Sequence, residues 1–216
     1  VLNLTSGTQT TLAEFGGTVT IFATKLSPTG EQLLFGAVGW IPTRISLALM
    51  EVSTRQSEVL WTAPPSNPEQ YLADLRWLPN GSGFIAHLGE GGAVNTAQVV
   101  HFDLGSGQIT PITEPETTMQ MIRTLDLSPD GRTIAFNTIT GELRFITRSG
   151  APAPGFPTDL RGVLPAFSPD GKLLAWSRYR ENTTDLDGVW YYRFSDRTMW
   201  RALPADSPLT WVLDWE

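Results

Sequence analysis

The chain has 216 residues, of which 41% are apolar and 17% charged, with 20 Gly, 16 Pro and no Cys. That is apolar enough for a packed core and too apolar for disorder, and a Gly-plus-Pro share of about one sixth calls for many turns. A formal charge of −7 argues against a nucleic-acid surface, which needs a basic footprint, and the lack of Cys excludes a disulfide framework, a thiolate zinc site and a cysteine nucleophile.

No apolar run approaches the roughly 20 residues of a membrane-spanning helix. The chain starts Val1-Leu2-Asn3-Leu4, with neither a basic n-region nor an apolar h-region, so any targeting segment is expected outside this sequence.

In chain order, residues 2–12 line up with Phe102 to Ile112 and read as the outer two strands of a partial unit spanning 1–14. Four whole units follow, at 20–63, 71–113, 121–156 and 162–203. Each contains one motif: Leu26-Ser27-Pro28-Thr29-Gly30, Trp77-Leu78-Pro79-Asn80-Gly81, Leu127-Ser128-Pro129-Asp130-Gly131 and Phe167-Ser168-Pro169-Asp170-Gly171. Their prolines lie 51, 50 and 40 residues apart. Each motif suits a tight turn, with Pro presetting φ, Asn or Asp in third place and Gly in fourth.

After each Gly comes a short apolar run: Leu33-Leu34-Phe35, Phe84-Ile85-Ala86, Ile134-Ala135-Phe136 and Leu174-Ala175-Trp176. Before each turn, apolar residues alternate, as in Leu75 and Trp77 or Leu125 and Leu127. A period of two around a tight turn predicts a hairpin. Two further strands follow in each unit, as in 98–104 and 108–112 around Gly105-Ser106-Gly107, or 189–194 and 198–203 around Ser195-Asp196-Arg197. Finally, Trp211-Val212-Leu213-Asp214-Trp215 reads as the first strand of a further unit at 210–216.

Four antiparallel strands per repeat, with no amphipathic helix, describe a β-propeller blade. The expected fold is therefore all-β: one propeller domain over 1–216, with four complete four-stranded blades and partial blades at both ends. If the two ends closed a fifth blade, it would lack its second strand and leave backbone groups unpaired. The expectation is a stretch of a longer propeller.

Phe167 to Trp176 resembles the TolB-like (PD-type, WD-repeat-related) repeat, whose core reads roughly F-S-P-D-G-K-x-I-A-F, and Leu127 to Phe136 follows it nearly as well. The resemblance implies a scaffold, of a kind common in exported or envelope-associated bacterial proteins, hence a periplasmic or extracellular location. It also admits a second role, as a gating, substrate-selecting or sensor domain of a larger enzyme such as a prolyl-oligopeptidase-like peptidase or a receptor kinase.

Few residues suit catalysis. His87 and His101 are the two histidines, far apart in sequence, and read as strand histidines satisfied by backbone. Gly-x-Ser-x-Gly is absent, and Ser106 sits in a turn. Asp185-Leu186-Asp187-Gly188 has the alternating carboxylates of a calcium loop without the later acidic ligand, and reads as part of a connecting turn at 182–188. No catalytic residue, cofactor or metal site is assigned, and the chain is expected not to be an enzyme.

The expected function is to hold a protein or peptide through loops gathered on one face. The candidate contacts are Trp40, Arg44, Glu90, Arg178, Tyr179, Arg180 and Asp187. Trp40, between the second and third strands of its blade, either anchors a partner or folds back as a plug. Glu90 is expected in a mobile loop, Gly89-Glu90-Gly91-Gly92. Trp77, Trp176, Trp190, Trp200 and Trp215 fall on strand positions between blades. One position just before the end of each innermost strand holds Lys25, Arg76, Asp126, Ala166 and Asp214. Arg76 and Asp126, from neighbouring blades, are expected to meet near the central channel.

Overall fold

The structure, a computed structural model, describes residue 11 and residues 19–40, 43–90, 95–118, 124–138, 140–179 and 186–204. The first sheet runs β1 (Val19–Leu26), β2 (Gln32–Trp40), β3 (Thr43–Glu51), β4 (Ser57–Thr62). The second runs β5 (Gln70–Trp77), β6 (Gly83–Glu90), β7 (Asn95–Asp103), β8 (Ile109–Pro111), and β9 (Glu116–Thr118) pairs with the start of β7. The third holds β10 (Leu125–Leu127), β11 (Thr133–Asn137) and β12 (Leu143–Thr147), and the fourth β13 (Gly162–Phe167), β14 (Leu173–Tyr179), β15 (Leu186–Arg193) and β16 (Thr198–Pro204). Neighbouring strands are antiparallel, and the innermost strands β1, β5, β10 and β13 lie side by side in that order. This is a β-propeller arrangement. The partial blades expected at 1–14 and 210–216 lie outside the described residues, Thr11 apart.

All four expected turns have one geometry. The Gly N–H donates to the carbonyl three residues earlier: Gly30 to Ser27, Gly81 to Leu78, Gly131 to Ser128 and Gly171 to Ser168, at 2.8–2.9 Å. These glycines sit at φ between 68° and 74°, which L side chains avoid. The serine side chain adds a second tie: Ser128 Oγ accepts from Thr133 N–H and donates to Asp130 Oδ1, and Ser168 does the same with Leu173 and Asp170. Successive turns also touch, since a Cβ on Gly131 would stand 2.8 Å from Pro79 Cδ, whereas one on Gly30 would meet nothing within 4 Å. Both Gly→Ala changes carry the left-handed backbone cost of about 1–2 kcal/mol, and Gly131→Ala adds a clash. Urea unfolding should therefore show Gly131→Ala as the more destabilised of the two.

The apolar triplets of β6 and β11 are buried on both faces because a blade packs on each side. Phe84 and Ala86 join Leu34, Leu47 and Leu49 of the first blade, while Ile85 joins Leu125, Ile134 and Phe136 of the third. Ala135 then turns towards Leu174, Trp176 and Phe167 of the fourth. Period two within a continuous apolar run is what a doubly covered strand needs. Trp77 and Trp176 are buried, and Trp190 and Trp200 partly so, all on strands as expected.

The third blade departs from the expected four strands. Past β12, its outer edge is held by two isolated bridges, Ile146 with Pro152 and Glu142 with Arg161. Pro152, Pro154 and Pro157 have no N–H to continue a ladder, and Gly155 at φ 82° departs from extended backbone. Pro111 and Pro115 flank the break between β8 and β9 in the same way.

Candidate functional site

The channel side is built by the innermost strands. Arg76 Nε donates to Asp126 Oδ1 at 2.7 Å, as the shared motif position predicted. Asp126 Oδ2 accepts from the Phe167 N–H at 2.7 Å, so one carboxylate ties three consecutive blades. Trp77 Nε1 donates to the Lys25 carbonyl at 3.0 Å and ties the first blade to the second. Burial pushes the Asp126 carboxyl above its ordinary value, with Arg76 and the Phe167 N–H pulling the other way.

A second tier of polar groups was not anticipated. The residue after each apolar triplet of β6, β11 and β14 is His87, Asn137 or Ser177, all buried. His87 Nδ1 lies 3.3 Å from Asp74 Oδ2, and Asp74 sits at φ 52° where β5 skips register against β6. Asn137 Oδ1 accepts from both the N–H and the hydroxyl of Thr124, whose Oγ1 in turn accepts from the N–H of Leu164 at 2.8 Å. Leu164 is at φ 57° in the matching irregularity of β13. These polar side chains thus hold the bends of the innermost strands. The expectation that both histidines are satisfied by backbone is corrected. His87 pairs with a carboxylate, and the Nε2 atoms of His87 and His101 are buried without a hydrogen-bond partner among the described residues. Burial, helped by Arg148, lowers the pKa of His101 and favours the neutral ring.

Of the sequence-predicted contacts, Trp40, Arg44, Glu90, Arg178, Tyr179 and Asp187 come to one end of the sheets, opposite the Pro-Gly turns. Trp40 closes β2 opposite Thr43, and Arg44 follows on β3 opposite Gly39. Trp40 is a strand residue and not a loop residue; its side chain, that of Arg44 and all of Arg180 lie outside the described residues. Glu90 is the last residue of β6, held by cross-strand partners: Gln70 Nε2 donates to it at 3.0 Å and Thr96 Oγ1 at 3.3 Å. The mobile-loop expectation is therefore corrected for Gly89 and Glu90, because the Tyr71 ring also lies against Gly89 and leaves no room for a Cβ.

Arg178 lies on β14 with its guanidinium 4.4 Å from the centroid of the Trp190 ring. Tyr179, next on the strand, rests its ring on Gly141 of the third blade, and burial raises its phenol pKa. Asp187 is on β15 and pairs with Arg201 at 3.5 Å, so residues 186–188 form strand and neither a turn nor a calcium loop. Arg161, which the sequence pattern did not single out, reaches this end by donating from Nη2 to the Thr140 carbonyl at 2.9 Å. Only a comparison of blade edges could have found it. Among the described residues there is no cluster of three His, Asp or Glu placed to hold a metal ion, and no helix long and apolar enough to cross a membrane.

Turn carboxylates set the acid response. Ser168 and then Lys172 hold Asp170 down to about 2 from an ordinary 3.8, and Asp103, Asp130 and Asp196 are lowered by bonds from Ser106, Ser128 and Thr198. Folded values below the unfolded one mean that these groups favour folding above 3.8 and lose that contribution as pH falls towards about 2. Asp126 has the opposite sign: its raised folded value favours folding at low pH, an effect lost as pH rises through that value. Chemical unfolding at stepped pH should show stability falling between 3.8 and about 2, with a shallower fall in Asp170→Asn.

No protein-family model matches the chain, and no curated protein sequence matches it. Solved structures do. TolB from Acinetobacter baumannii superposes with a TM-score of 0.62 at 16% identity, over 86% of this chain and 44% of that one. The chain has a TolB-like propeller fold. It is also similar to an oligogalacturonate lyase solved with manganese (TM-score 0.52, 14% identity, 96% of this chain and 70% of that one). A chain of the mitotic checkpoint complex matches at a TM-score of 0.52 and 12% identity, over 85% of this chain and 63% of that one. The chain therefore spans less than half the length of the TolB chain whose fold it shares. Identities this low speak for the fold alone.

Proposed function

We propose that this propeller is a non-catalytic scaffold that holds a protein or peptide partner at the end of its sheets carrying Trp40, Arg44, Glu90, Arg178, Tyr179, Arg180 and Asp187. The observation that carries this reading is convergence: strand ends from the first, second and fourth blades bring Trp40, Arg44, Glu90, Arg178, Tyr179 and Asp187 to one end, and Gly141 and Arg161 add the third. A broad patch of aromatic, basic and acidic groups on rigid strand ends needs no acid, base or metal. Its charges are already anchored, Arg178 on Trp190, Asp187 on Arg201 and Glu90 on Gln70, which lowers the ordering cost of contact. We also propose, from the repeat resemblance, that the protein works in the periplasm or outside the cell.

Photo-crosslinking residues placed at Glu90 and at Asp187 test the reading in the source cells. The expected result is one defined protein adduct from these positions and none from Asn80 or Asp130 at the opposite end. Equal labelling from both ends, or no adduct at all, would overturn it. The mass of the crosslinked chain itself also tests the rival reading, since a catalytic domain on the same polypeptide would favour a gating or sensor role.

A further inference from the structure

At the end of the sheets opposite the Pro-Gly turns, the third and fourth blades meet along a seam that carries two guanidinium groups. Arg161 stands just before β13, and its carbonyl accepts from Trp176 Nε1 at 3.2 Å. Its exposed side chain crosses to the third blade, where Nη2 donates to the Thr140 carbonyl at 2.9 Å. Arg178 pairs in register with Gly162, the residue after Arg161, so the two arginines come from adjacent strands. Tyr179 follows and lays its ring on Gly141, again on the third blade. Burial raises its phenol pKa against the pull of the Arg161 charge, so the hydroxyl keeps a proton to donate. Two cations and a hydroxyl share one seam.

The acids nearby are already taken. Asp187 pairs with Arg201 at 3.5 Å, and Glu142, bridged to Arg161 through backbone, sends its side chain to Arg144 at 3.6 Å. Arg178 has the Trp190 ring, 4.4 Å from its guanidinium, and a ring face holds a cation without neutralising it. Among the described residues neither Arg161 nor Arg178 has a carboxylate partner. Arg76, Arg132, Arg144, Arg193 and Arg201 each have one. Arg55, Arg148 and Arg197 have none among the described residues either, but each sits singly at a chain reversal. In a chain of formal charge −7, two such groups side by side are a local exception. A guanidinium presents its N–H donors as a fork that fits a carboxylate, and here the Trp190 ring and the Thr140 carbonyl hold both forks before a guest arrives. The acidic surround disfavours a long polyanion, so the fit is to a few carboxylates and not to nucleic acid.

We propose that this seam binds an acidic segment of the partner, with Arg161 and Arg178 taking its Asp or Glu carboxylates and Tyr179 donating beside them. The inference rests on the reading that this end holds a partner, and it adds that partner's chemistry and the role of Arg161.

The test is a titration of the isotope-labelled protein with a capped, C-terminally amidated Gly-Glu-Asp-Glu-Gly peptide, followed through the arginine Nε–H resonances. The expected result is a saturable shift of the Arg161 and Arg178 signals that weakens as salt is raised. The matching Gly-Gln-Asn-Gln-Gly peptide should bind about tenfold more weakly, since it keeps the shape and loses the charge. Arg161→Gln and Arg178→Gln should each weaken binding of the acidic peptide about fivefold. If a variant does not fold, the amide peptide gives the same information on the unaltered protein. Arginine signals that never move, or equal binding of the two peptides, would overturn the proposal. So would tighter binding of N-acetylated Gly-Gly-Gly with a free carboxyl terminus, which would assign the seam to a chain end. A crosslinked adduct at Asp187 with no response to the acidic peptide would remove this inference and leave the end surface standing. Loss of the adduct would remove both.

Discussion

Asp126→Ala should be among the most damaging single changes in this protein, at about 3–5 kcal/mol. It strands the Arg76 guanidinium, whose side chain is only 20% exposed, and removes the acceptor of the Phe167 N–H. Arg76→Met should cost a comparable amount, because it leaves the Asp126 carboxylate, 11% exposed, with the Phe167 N–H as its remaining strong partner. The double change Arg76→Met/Asp126→Leu should cost much less than the sum, since a buried pair replaced by apolar groups is close to neutral and only the Phe167 N–H stays unpaired. Urea unfolding of the two singles and the double measures this directly. Additive losses would mean that the two side chains act independently and that the blades are not tied at this point. Asp126→Asn keeps an acceptor for Phe167 and loses the charge, so it should fall between wild type and Asp126→Ala.

Trp176→Ala should cost about as much, 3–5 kcal/mol by the usual range for emptying a buried aromatic site. The side chain is fully buried between the third and fourth blades, packed with Leu143, Phe167, Leu174 and Tyr192. Its Nε1 donates to the Arg161 carbonyl at 3.2 Å, next to Gly162, where the backbone approaches β14 so closely that a Cβ would meet the Ser177 carbonyl. Trp176→Phe retains most of the packing and loses that bond, so a loss of about 1–2 kcal/mol is expected. A small effect of Trp176→Ala on the unfolding midpoint would show that the two blades do not unfold as one unit.

The turns and their strands were legible because their chemistry is local. Pro, Asp and Gly within five residues specify a turn whatever lies around it, and Gly30, Gly81, Gly131 and Gly171 all take the same positive φ. The triplets Phe84-Ile85-Ala86 and Ile134-Ala135-Phe136 declared strands covered on both faces. Arg76 and Asp126 could be paired from sequence because a repeat places one position of every unit at the same radius, so adjacent units bring equivalent residues together. Reading the ends was harder. In the sequence Glu90 and Asp187 read as loop residues, since Gly and Asp mark loops, yet Gln70 and Arg201, reached only across a strand pair, hold them in β6 and β15.

By itself, then, the sequence determined the number and place of the hairpin turns, the period-two strands and the repeat that makes a propeller, all of which depend on residues a few positions apart. Only the tertiary structure decided that His87 faces Asp74, that Tyr179 rests on Gly141, and that Arg161 reaches the Thr140 carbonyl. These depend on which strands lie side by side and how far each bends. Bulges at Asp74 and Leu164 shift register without any mark in the apolar pattern, and prolines at 152, 154 and 157 stop a ladder only where a neighbouring strand would have asked for their N–H groups.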